Sequence, residues 1–414
     1  MRVLFVTHAY HPSKGGVQWL AQSLAERFVA HAGDDVTVFT TVAQRCELFI
    51  DPHQPRLPAG AEMLNGVCVR RFAVFNRLTW WRLNAARVAY KLRLPGQDWL
   101  RGLYFGPLVP GLRRAIARQP ADVIVAASFP MIHMYDALAA GQRSRRPVAL
   151  IGTVHPTDHW SYDLPRMYRA IGRAQAYVAL SSYEAEFLRP RCPGARIHVI
   201  GGGVDAATLD APQAGRDFRR RQGWGDDDVV IGMVGRMTAY KRLDLMLEAM
   251  PVIWRQLPKA RLLLAGAGND TPEVAALQRC IRSLPHPDRV TWITDFAEED
   301  KPAILSAADM VVHLSDRESF GIVIVESWAA GKPVVASRAG ASPSVIADGE
   351  NGLLVSYGDV ADLAQAVVRL GSSAELRSAL GQAGQAKARR QYDWGIVAPR
   401  FRELLVELVQ AGSK

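Results

Sequence analysis

Short runs of β-branched and other apolar residues alternate along the chain with longer segments of helical periodicity. This alternation is typical of βα units, in which helices cover the faces of a parallel sheet. Strands are predicted at Val3–Thr7, Val36–Thr40, Val67–Phe72, Val123–Ala126, Val148–Thr153, Ala176–Ala179, Ile197–Ile200, Val229–Val234, Arg261–Ala265, Val290–Ile293, Met310–His313, Pro333–Ala336 and Gly352–Val355. Helices are predicted between most of them, for example at Val17–Ala30, Leu243–Gln256 and Pro302–Ala307. The pattern therefore predicts an α/β fold.

The chain has 414 residues, more than one ordinary core accommodates, and each half carries its own series of strands. We therefore predict two doubly wound domains, with the break at the glycine-rich stretch that ends at Asp205. The first domain is expected to cover residues 1–205 and the second residues 206–393. An amphipathic helix is predicted over residues 394–412.

Membrane-spanning and secretory segments are not expected, because no apolar run approaches about eighteen residues and the N-terminal run is shorter than a signal core. The four cysteines form no C-x-x-C pair; they are Cys46, Cys68, Cys192 and Cys280. We therefore expect neither a zinc site nor a disulfide framework, and the cysteine usage favours a reducing cytoplasm.

The most informative motif is E-S-F-G-I-V-I-V-E at residues 318–326, followed by G-K-P-V-V-A at residues 331–336. Glu318 precedes a helix that is predicted to begin at Phe320 or Gly321, and Glu326 lies about two turns later. Two such carboxylates can accept hydrogen bonds from diols on a sugar and on a ribose, while the helix start favours an anion. The alternative is a helix-capping glutamate followed by a solvated one.

A second motif, G-R-M-T-A-Y-K at residues 235–241, directly follows the predicted strand Val229–Val234. Strand ends in doubly wound sheets are common ligand sites. The Arg236 guanidinium can fork onto phosphate oxygens and Lys241 supplies a point charge, so the pair suits a diphosphate without a metal ion. The alternative is two ordinary surface bases at a helix start.

Three weaker features follow other strands. Lys14-Gly15-Gly16-Val17 can bring backbone close to a ligand, but glycine is common in any tight β-to-α turn. His155 lies at the end of a first-half strand, where it either contacts a sugar hydroxyl or packs as an ordinary histidine. Gly266-Ala267-Gly268 has Thr271 where a dinucleotide fingerprint has its third glycine, and is interpreted as site lining.

Taken together, these motifs resemble family 4 of the retaining GT-B glycosyltransferases over essentially the whole chain. The features that carry the resemblance are Gly15-Gly16, His155, Gly203-Val204-Asp205, Arg236 with Lys241, Glu318 through Glu326, and Gly331 through Ala336. The resemblance implies two Rossmann-like domains facing a cleft, with the C-terminal helix crossing back to the N-terminal domain. It also implies transfer of a hexose from a nucleotide diphosphate sugar, with UDP or GDP as the nucleotide, and neither a tightly bound cofactor nor a metal ion.

The roles of individual residues follow from the same resemblance. Arg236 and Lys241 would hold the donor diphosphate, Glu326 the ribose and Glu318 the sugar hydroxyls, while His155 would face the transferred sugar from the other domain. The implied catalytic residues are His155, Arg236, Lys241 and Glu318, and the implied donor contacts are Gly15, Gly16, Arg236, Lys241, Glu318, Phe320, Gly321, Ile322 and Glu326.

Three positions depart from the family pattern: Gly202 replaces the usual asparagine, Ala341–Ser344 lack a common glutamate, and Thr294 replaces a common glycine. The last two lie near where donor identity is expected to be selected. The donor sugar and base therefore stay open.

The formal net charge of +10 is concentrated in one segment, since Arg70–Arg118 holds eleven Lys or Arg and a single acid, Asp98. Wound as a helix, this segment presents one apolar face formed by Leu78, Trp81, Ala85, Val88, Ala89 and Leu92, with Arg82 and Lys91 flanking it and Arg87 opposite. A basic, aromatic, amphipathic helix favours an anionic membrane surface.

We therefore predict a lipid-linked or membrane-surface acceptor and a cytoplasmic protein that is peripheral on the inner face of the membrane. The basic segment could instead be a core helix with a solvated rim or a cleft for a small soluble phosphosugar acceptor. An epimerase and a non-catalytic protein that binds nucleotide sugars or nucleic acid are rival functions for the whole chain. Nucleic acid is not expected, because no known nucleic-acid-binding module is visible.

Overall fold

The computed structural model describes residues 1–13, 15–266, 272–294 and 296–412, with the side chains of residues 272 and 273 left out. The chain divides into two units, one formed by Met1–Gly201 with Ala398–Lys414 and the other by Gly202–Val397. The division therefore falls slightly before the predicted boundary at residue 205. The C-terminal helix begins in the second unit, and its residues from Ala398 onward belong to the first.

The first unit is built on an eight-stranded sheet with the order β3-β4-β2-β1-β5-β6-β7-β8. Its strands are β1 Arg2–Thr7, β2 Asp35–Thr41, β3 Gly60–Leu64, β4 Val67–Phe72, β5 Val123–Ala127, β6 Val148–Ile151, β7 Ala176–Ala179 and β8 Ile197–Val199. Its helices are α1 Gly16–Ala32, α2 Thr79–Lys91, α3 Gln97–Phe105, α4 Leu112–Arg118, α5 His133–Ser144, α6 His159–Tyr162, α7 Pro165–Arg173 and α8 Ser182–Leu188. All neighbouring strands are parallel except β3 and β4.

Strand β3 is absent from the strands predicted from the sequence. Its residues, G-A-E-M-L, contain no β-branched side chain, and four of its five positions are exposed at the edge of the sheet. An edge strand with no buried face lacks the apolar periodicity on which the other predictions rest.

The second unit is built on a six-stranded parallel sheet with the order β11-β10-β9-β12-β13-β14. Its strands are β9 Val229–Val234, β10 Ala260–Gly266, β11 Val290–Thr294, β12 Met310–His313, β13 Val334–Ser337 and β14 Leu353–Val355. Its helices are α9 Ala206–Leu209, α10 Pro212–Arg221, α11 Leu243–Gln256, α12 Pro272–Arg282, α13 Lys301–Ala307, α14 Ile322–Ala329, α15 Ser342–Val345, α16 Val360–Gly371, α17 Ala374–Lys387 and the start of α18 Trp394–Gly412, after a π turn at Ala388–Tyr392.

Each sheet has one point at which the strand order reverses direction, between β1 and β5 in the first unit and between β9 and β12 in the second. Connections leave these neighbouring strands toward opposite faces, so a crevice opens at their carboxyl ends, where ligands of doubly wound sheets bind. The central strands are buried on both faces, as in β1, where every residue after Arg2 is buried.

A buried carboxylate anchors the C-terminal helix within the first unit. The Asp34 side chain is fully buried and accepts hydrogen bonds from Arg402 Nε at 2.7 Å and Arg402 Nη2 at 3.0 Å. Burial alone would raise the pKa of Asp34, but the Arg402 guanidinium and the N-terminal amine outweigh it and hold that pKa below 3.8. The carboxylate is therefore ionised and paired at neutral pH.

Replacing Asp34 with Asn should lower the free energy of unfolding at pH 7 by about 2–4 kcal/mol, because Arg402 loses a buried counter-charge. A depressed carboxyl pKa stabilises the fold above the unfolded-state value and ceases to do so as the pH falls through the folded-state value. The deficit of Asp34→Asn should therefore shrink in acid, as measured by chemical denaturation at several pH values. An equal deficit in the control Asp35→Asn, which changes the exposed neighbouring carboxylate, would contradict the assignment.

Candidate active site

An ion pair joins the loops that follow β9 and β12, the two strands between which the strand order of the second sheet reverses. Lys241, in a short turn after β9, donates from Nζ to Glu318 Oε1 in the loop after β12. Both side chains are mostly buried, with exposed fractions of 17% and 15%. The sequence motifs at residues 235–241 and 318–326 therefore meet at the carboxyl ends of these two strands.

His313 ends β12 and lies beneath this ion pair. Its Nε2 is 3.6 Å from Glu318 Oε1, and only 3% of its side chain is exposed. Burial, reinforced by the Lys241 cation and opposed by Glu318, lowers the pKa of His313 to about 4. The ring is therefore neutral at physiological pH and can offer one N–H donor without adding charge.

Arg236 is exposed at the end of β9, where its Nη2 donates to the Tyr240 hydroxyl at 2.7 Å. Arg236, Lys241 and His313 line one small recess at the strand ends. The loop that holds Arg236 crosses closely over β10, because a Cβ atom added to Gly266 would overlap the Gly235 carbonyl. Two cations and the His313 ring therefore border a recess whose other lining residues are glycine or apolar.

Helix α14 begins at Ile322, slightly later than the predicted start at Phe320 or Gly321, and Glu326 lies about one turn inside it. Gly321 caps the helix with φ 85°, a left-handed conformation that favours glycine, and a Cβ there would lie 2.8 Å from Ile324. The Phe320 ring packs at Gly202, where a Cβ would lie 3.1 Å from it. The first amides of a helix lack the acceptors that a preceding turn would provide, and those of α14 follow Glu318 closely in the chain.

Glu326 pairs with a different cation from the one that contacts Glu318. Its Oε1 accepts a hydrogen bond from Lys301 Nζ at 3.0 Å, and 7% of its side chain is exposed. Burial opposes the charge on Lys301, but Glu326 and Glu298 outweigh it and raise the pKa of that amine. The predicted ribose contact is thus a buried carboxyl group whose position is fixed by Lys301.

In the first unit, two buried histidines follow the reversal strands β1 and β5. Gln18 Nε2 lies 3.3 Å from His8 Nε2, and His133 Nε2 lies 2.5 Å from the Ala127 carbonyl oxygen. Since a carbonyl oxygen can only accept, the hydrogen of the His133 ring sits on Nε2. Burial lowers the pKa of His8 to about 4 and that of His133 to about 3, so both rings are neutral.

The predicted glycines lie near Gln18, the residue that contacts His8. Gly15 precedes α1, and a Cβ there would lie 2.5 Å from Gln18 Oε1, whereas a Cβ on Gly16 would contact no atom within 4 Å among the described residues. A side chain at Gly15 would therefore require Gln18 to move, while Gly16 leaves open space at the start of α1. Lys14 of this motif and Ala267, Gly268 and Thr271 of the G-A-G segment lie outside the described residues.

His155 lies in the loop after β6, and its ring is 5.2 Å from the Tyr162 ring. A buried carboxylate fixes the start of this loop: Glu184 of α8 accepts from the Val154 N–H and the Leu180 N–H at 2.9 Å each, and from the Tyr177 hydroxyl at 2.6 Å. Burial raises the pKa of Glu184 to about 7, although these hydrogen bonds oppose the shift.

A buried arginine fixes the end of the same loop. Arg101 of α3 is 3% exposed and donates to the carbonyls of His159 at 2.7 Å, Trp160 at 2.9 Å and Asp163 at 3.2 Å. Its guanidinium also lies 4.9 Å from the Tyr90 ring centroid. Helix α3, which belongs to the basic segment, is therefore fastened to the loop that carries His155.

The sequence interpretation did not single out His8, His133, His313, Arg101, Glu184 or Lys301. A signal existed for His8 and His313, because each is a polar residue at the carboxyl end of a continuous apolar strand. Arg101, Glu184 and Lys301 depend on partners that are distant in the chain, whereas His133 contacts the Ala127 carbonyl six residues before it. Among the described residues, no group of three or more His, Cys, Asp or Glu side chains that could hold a metal ion is found.

The chain matches two family models in succession. One described as "Glycosyltransferase Family 4" covers residues 14–208, and one described as "Glycosyl transferases group 1" covers residues 215–387. The two matches do not overlap, and each falls largely within one of the two units.

Relatives and solved structures agree with these matches. The GDP-mannose-dependent alpha-(1-6)-phosphatidylinositol monomannoside mannosyltransferase of Mycolicibacterium smegmatis is 26% identical over 97% of this chain and 98% of its own length. The D-inositol 3-phosphate glycosyltransferase of Corynebacterium kroppenstedtii is 32% identical over 53% of this chain and 48% of its own length. The crystal structure of Anabaena Alr3699/HepE in complex with UDP and glucose has a TM-score of 0.74 at 20% identity and covers 98% of this chain and 100% of that one.

Replacing Glu184 with Gln should change how stability depends on pH. A carboxyl whose pKa rises on folding binds a proton more readily in the folded state, so its contribution to stability is complete below about 4.5 and is lost as the pH rises toward about 7. The free energy of unfolding of the wild type, relative to Glu184→Gln, should therefore fall across this range by an amount on the order of 2 kcal/mol. A difference that stays constant with pH, or an equal change in the exposed control Glu186→Gln, would contradict this role.

Proposed function

Because this chain belongs to family 4 of the glycosyltransferases, we propose that it is a retaining enzyme that moves a hexose from a nucleotide diphosphate sugar to a hydroxyl group of a lipid-linked or membrane-surface acceptor. The observation that carries the proposal is the cluster of Arg236, Lys241 and Glu318 at the carboxyl ends of β9 and β12, ahead of the start of α14. This cluster provides cations for a diphosphate and a carboxylate for a sugar within one small region.

In the proposed reaction, Arg236 and Lys241 bind the donor diphosphate, with UDP or GDP as the nucleotide. The backbone amides at Phe320, Gly321 and Ile322 share the negative charge that develops as the diphosphate leaves. Preorganised donors of this kind stabilise charge without having to reorient during the reaction.

The carboxylates have separate roles in this proposal. Glu318 accepts hydrogen bonds from the sugar hydroxyls while it remains next to Lys241, and Glu326 binds the ribose from its fixed position beside Lys301. His155 and the open position at Gly16 are proposed to contact the transferred sugar or the acceptor. The acceptor hydroxyl attacks on the face from which the diphosphate leaves, so the anomeric configuration is retained.

The acceptor proposal is supported by an exposed apolar stripe on α2. Leu78, Trp81, Val88 and Leu92 recur at helical spacing with exposed fractions of 67%, 67%, 53% and 62%. Ala89, which was predicted to share this face, is instead buried together with Ala86. A core helix would bury its large apolar side chains, so this exposure supports the proposal that α2 inserts into a membrane interface.

The charge around the stripe supports an anionic surface as its partner, because the segment Arg70–Arg118 contains eleven basic residues and one acid. The Mycolicibacterium smegmatis relative is named for a phosphatidylinositol monomannoside substrate. None of the helices described here is long and apolar enough to cross a membrane. We therefore propose peripheral attachment to the inner face of the membrane.

A soluble phosphosugar acceptor is the second candidate. It is favoured by the 32% identity with the D-inositol 3-phosphate glycosyltransferase of Corynebacterium kroppenstedtii, although that similarity covers 53% of this chain. Transfer to soluble phosphosugars in the absence of any vesicle or detergent would favour this candidate over a membrane-surface acceptor.

Replacing Lys241 with Ala should reduce turnover of the preferred UDP- or GDP-sugar by about 10²–10³-fold, because one charged donor to the leaving diphosphate is lost. The measurement is release of nucleoside diphosphate from a panel of nucleotide sugars, with the anomeric configuration of the product assigned by NMR. The control Lys259→Ala removes an exposed lysine of the same unit that pairs with Asp227 and should retain full activity. Equal activity of the two variants would contradict the donor site, and an inverted product would contradict retention.

Replacing both Trp81 and Val88 with Gln should weaken binding to phosphatidylcholine vesicles that contain phosphatidylglycerol by at least about tenfold. The reason is that each apolar side chain contributes roughly 1.5–3 kcal/mol when it becomes buried in the membrane. Co-sedimentation measures the binding, and donor hydrolysis without an acceptor should be unchanged. The matched control replaces Ile50 and Met63, two exposed apolar residues of the same unit. Undiminished vesicle binding by the α2 variant would contradict the proposed surface.

A further inference from the structure

A recess in the first unit is bordered by three arginines that the proposed transfer reaction does not use. It has a volume of about 400 Å³ and is lined by Arg70 and Phe72 of β4 and by Arg114, Arg118 and Gln119 along and after α4. Binding sites for small molecules commonly have volumes of roughly 300–1,000 Å³. The recess is therefore large enough for a ligand of several heavy atoms.

The three guanidinium groups reach the recess from two rigid elements. Arg114 and Arg118 are four residues apart on α4 and share one face of that helix. Arg70 points to the same side of β4 as Phe72, and its guanidinium lies 5.0 Å from the Phe72 ring centroid and 5.7 Å from that of Phe39. Stacking on two rings restricts the Arg70 side chain before any ligand binds.

These arginines differ from their immediate neighbours in the chain. Arg71 pairs with Glu62, and Arg113 pairs with Asp136. Within the described ranges, by contrast, Arg70, Arg114 and Arg118 form no ion pair, and no acidic side chain lines the recess. Strand β4 and helix α4 thus direct Arg71 and Arg113 toward acidic partners. The charges of Arg70, Arg114 and Arg118 are left at one concave surface.

We propose that this recess binds a phosphate group that carries two or more negative charges. Guanidinium groups form bidentate hydrogen bonds with phosphate oxygens, and a polyanion removes the mutual repulsion of the three cations. A phosphomonoester lipid headgroup and a soluble polyphosphate share this chemistry. The site lies outside the donor site of the second unit and goes beyond the proposed transfer activity.

The first test uses inorganic pyrophosphate and isothermal titration calorimetry. Because the donor site also recognises a diphosphate in our proposal, all proteins carry Arg236→Ala and Lys241→Ala. In this background one pyrophosphate should bind, and adding Arg114→Gln with Arg118→Gln should weaken binding by at least about tenfold through loss of two charge-assisted contacts.

The matched control carries Arg169→Gln and Arg173→Gln, which remove the same charge at the same spacing from the exposed side of α7. This control should bind pyrophosphate as the parent does. Glutamine preserves helix propensity, and unchanged melting temperatures of both double variants establish that each is folded.

The second test distinguishes a lipid source from a soluble one. Co-sedimentation compares phosphatidylcholine vesicles that contain phosphatidic acid, a phosphomonoester, with vesicles that contain phosphatidylglycerol at equal surface charge. A preference for phosphatidic acid that disappears in Arg114→Gln with Arg118→Gln identifies a lipid headgroup, while pyrophosphate binding without that preference identifies a soluble ligand.

The proposal is overturned if neither probe binds in a way that depends on Arg114 and Arg118. It is also overturned if the α7 control loses as much binding as the recess variant, because the effect is then general surface charge. Neither result bears on donor turnover by the protein with Arg236 and Lys241 intact, so failure of this site and failure of the proposed function are distinguishable.

Discussion

The ion pair between Lys241 and Glu318 is the contact on which the functional interpretation depends. It joins the loops after β9 and β12, which are neighbours in the sheet although a large part of the second unit separates them in the chain. Because the strand order reverses between these strands, their carboxyl ends border a crevice that no helix connection fills. Removing either partner would take the counter-ion from a mostly buried charge. The pair therefore fixes the position of both groups against the start of α14.

Buried polar groups support the predicted contacts in both units. Lys301 fixes Glu326, Glu184 fixes the backbone ahead of His155, and Arg101 fixes the carbonyls behind it. These partners hold the Glu326 side chain and the backbone on both sides of His155, and preorganisation of this kind reduces the cost of reaching a reactive geometry. Arg101 also connects α3 to the loop that carries His155. The basic segment and His155, the proposed sugar contact, are therefore linked directly within the first unit.

The sequence was sufficient for the repeated βα architecture, because parallel central strands are continuous apolar runs that differ clearly from helical segments. It failed for β3, an exposed edge strand, and for the start of α14, where the left-handed Gly321 delays the helix. Local motifs singled out Arg236, Lys241 and Glu318, since their spacing is characteristic of the family. The sequence could not single out Arg101, Glu184 or Lys301, because their roles depend on partners brought close by tertiary packing. The chain belongs to the nucleotide-sugar-dependent GT-B glycosyltransferases, and the roles of its site residues are our proposals.

The most direct test of the central claim is a crystal structure of the protein with its preferred nucleotide diphosphate sugar. We expect diphosphate oxygens within about 3 Å of Lys241 Nζ and of the Arg236 guanidinium, at the amino end of α14. Glu318 should contact the sugar hydroxyls and Glu326 the ribose. A diphosphate bound away from the carboxyl ends of β9 and β12, with Lys241 and Arg236 directed elsewhere, would rule out this donor site.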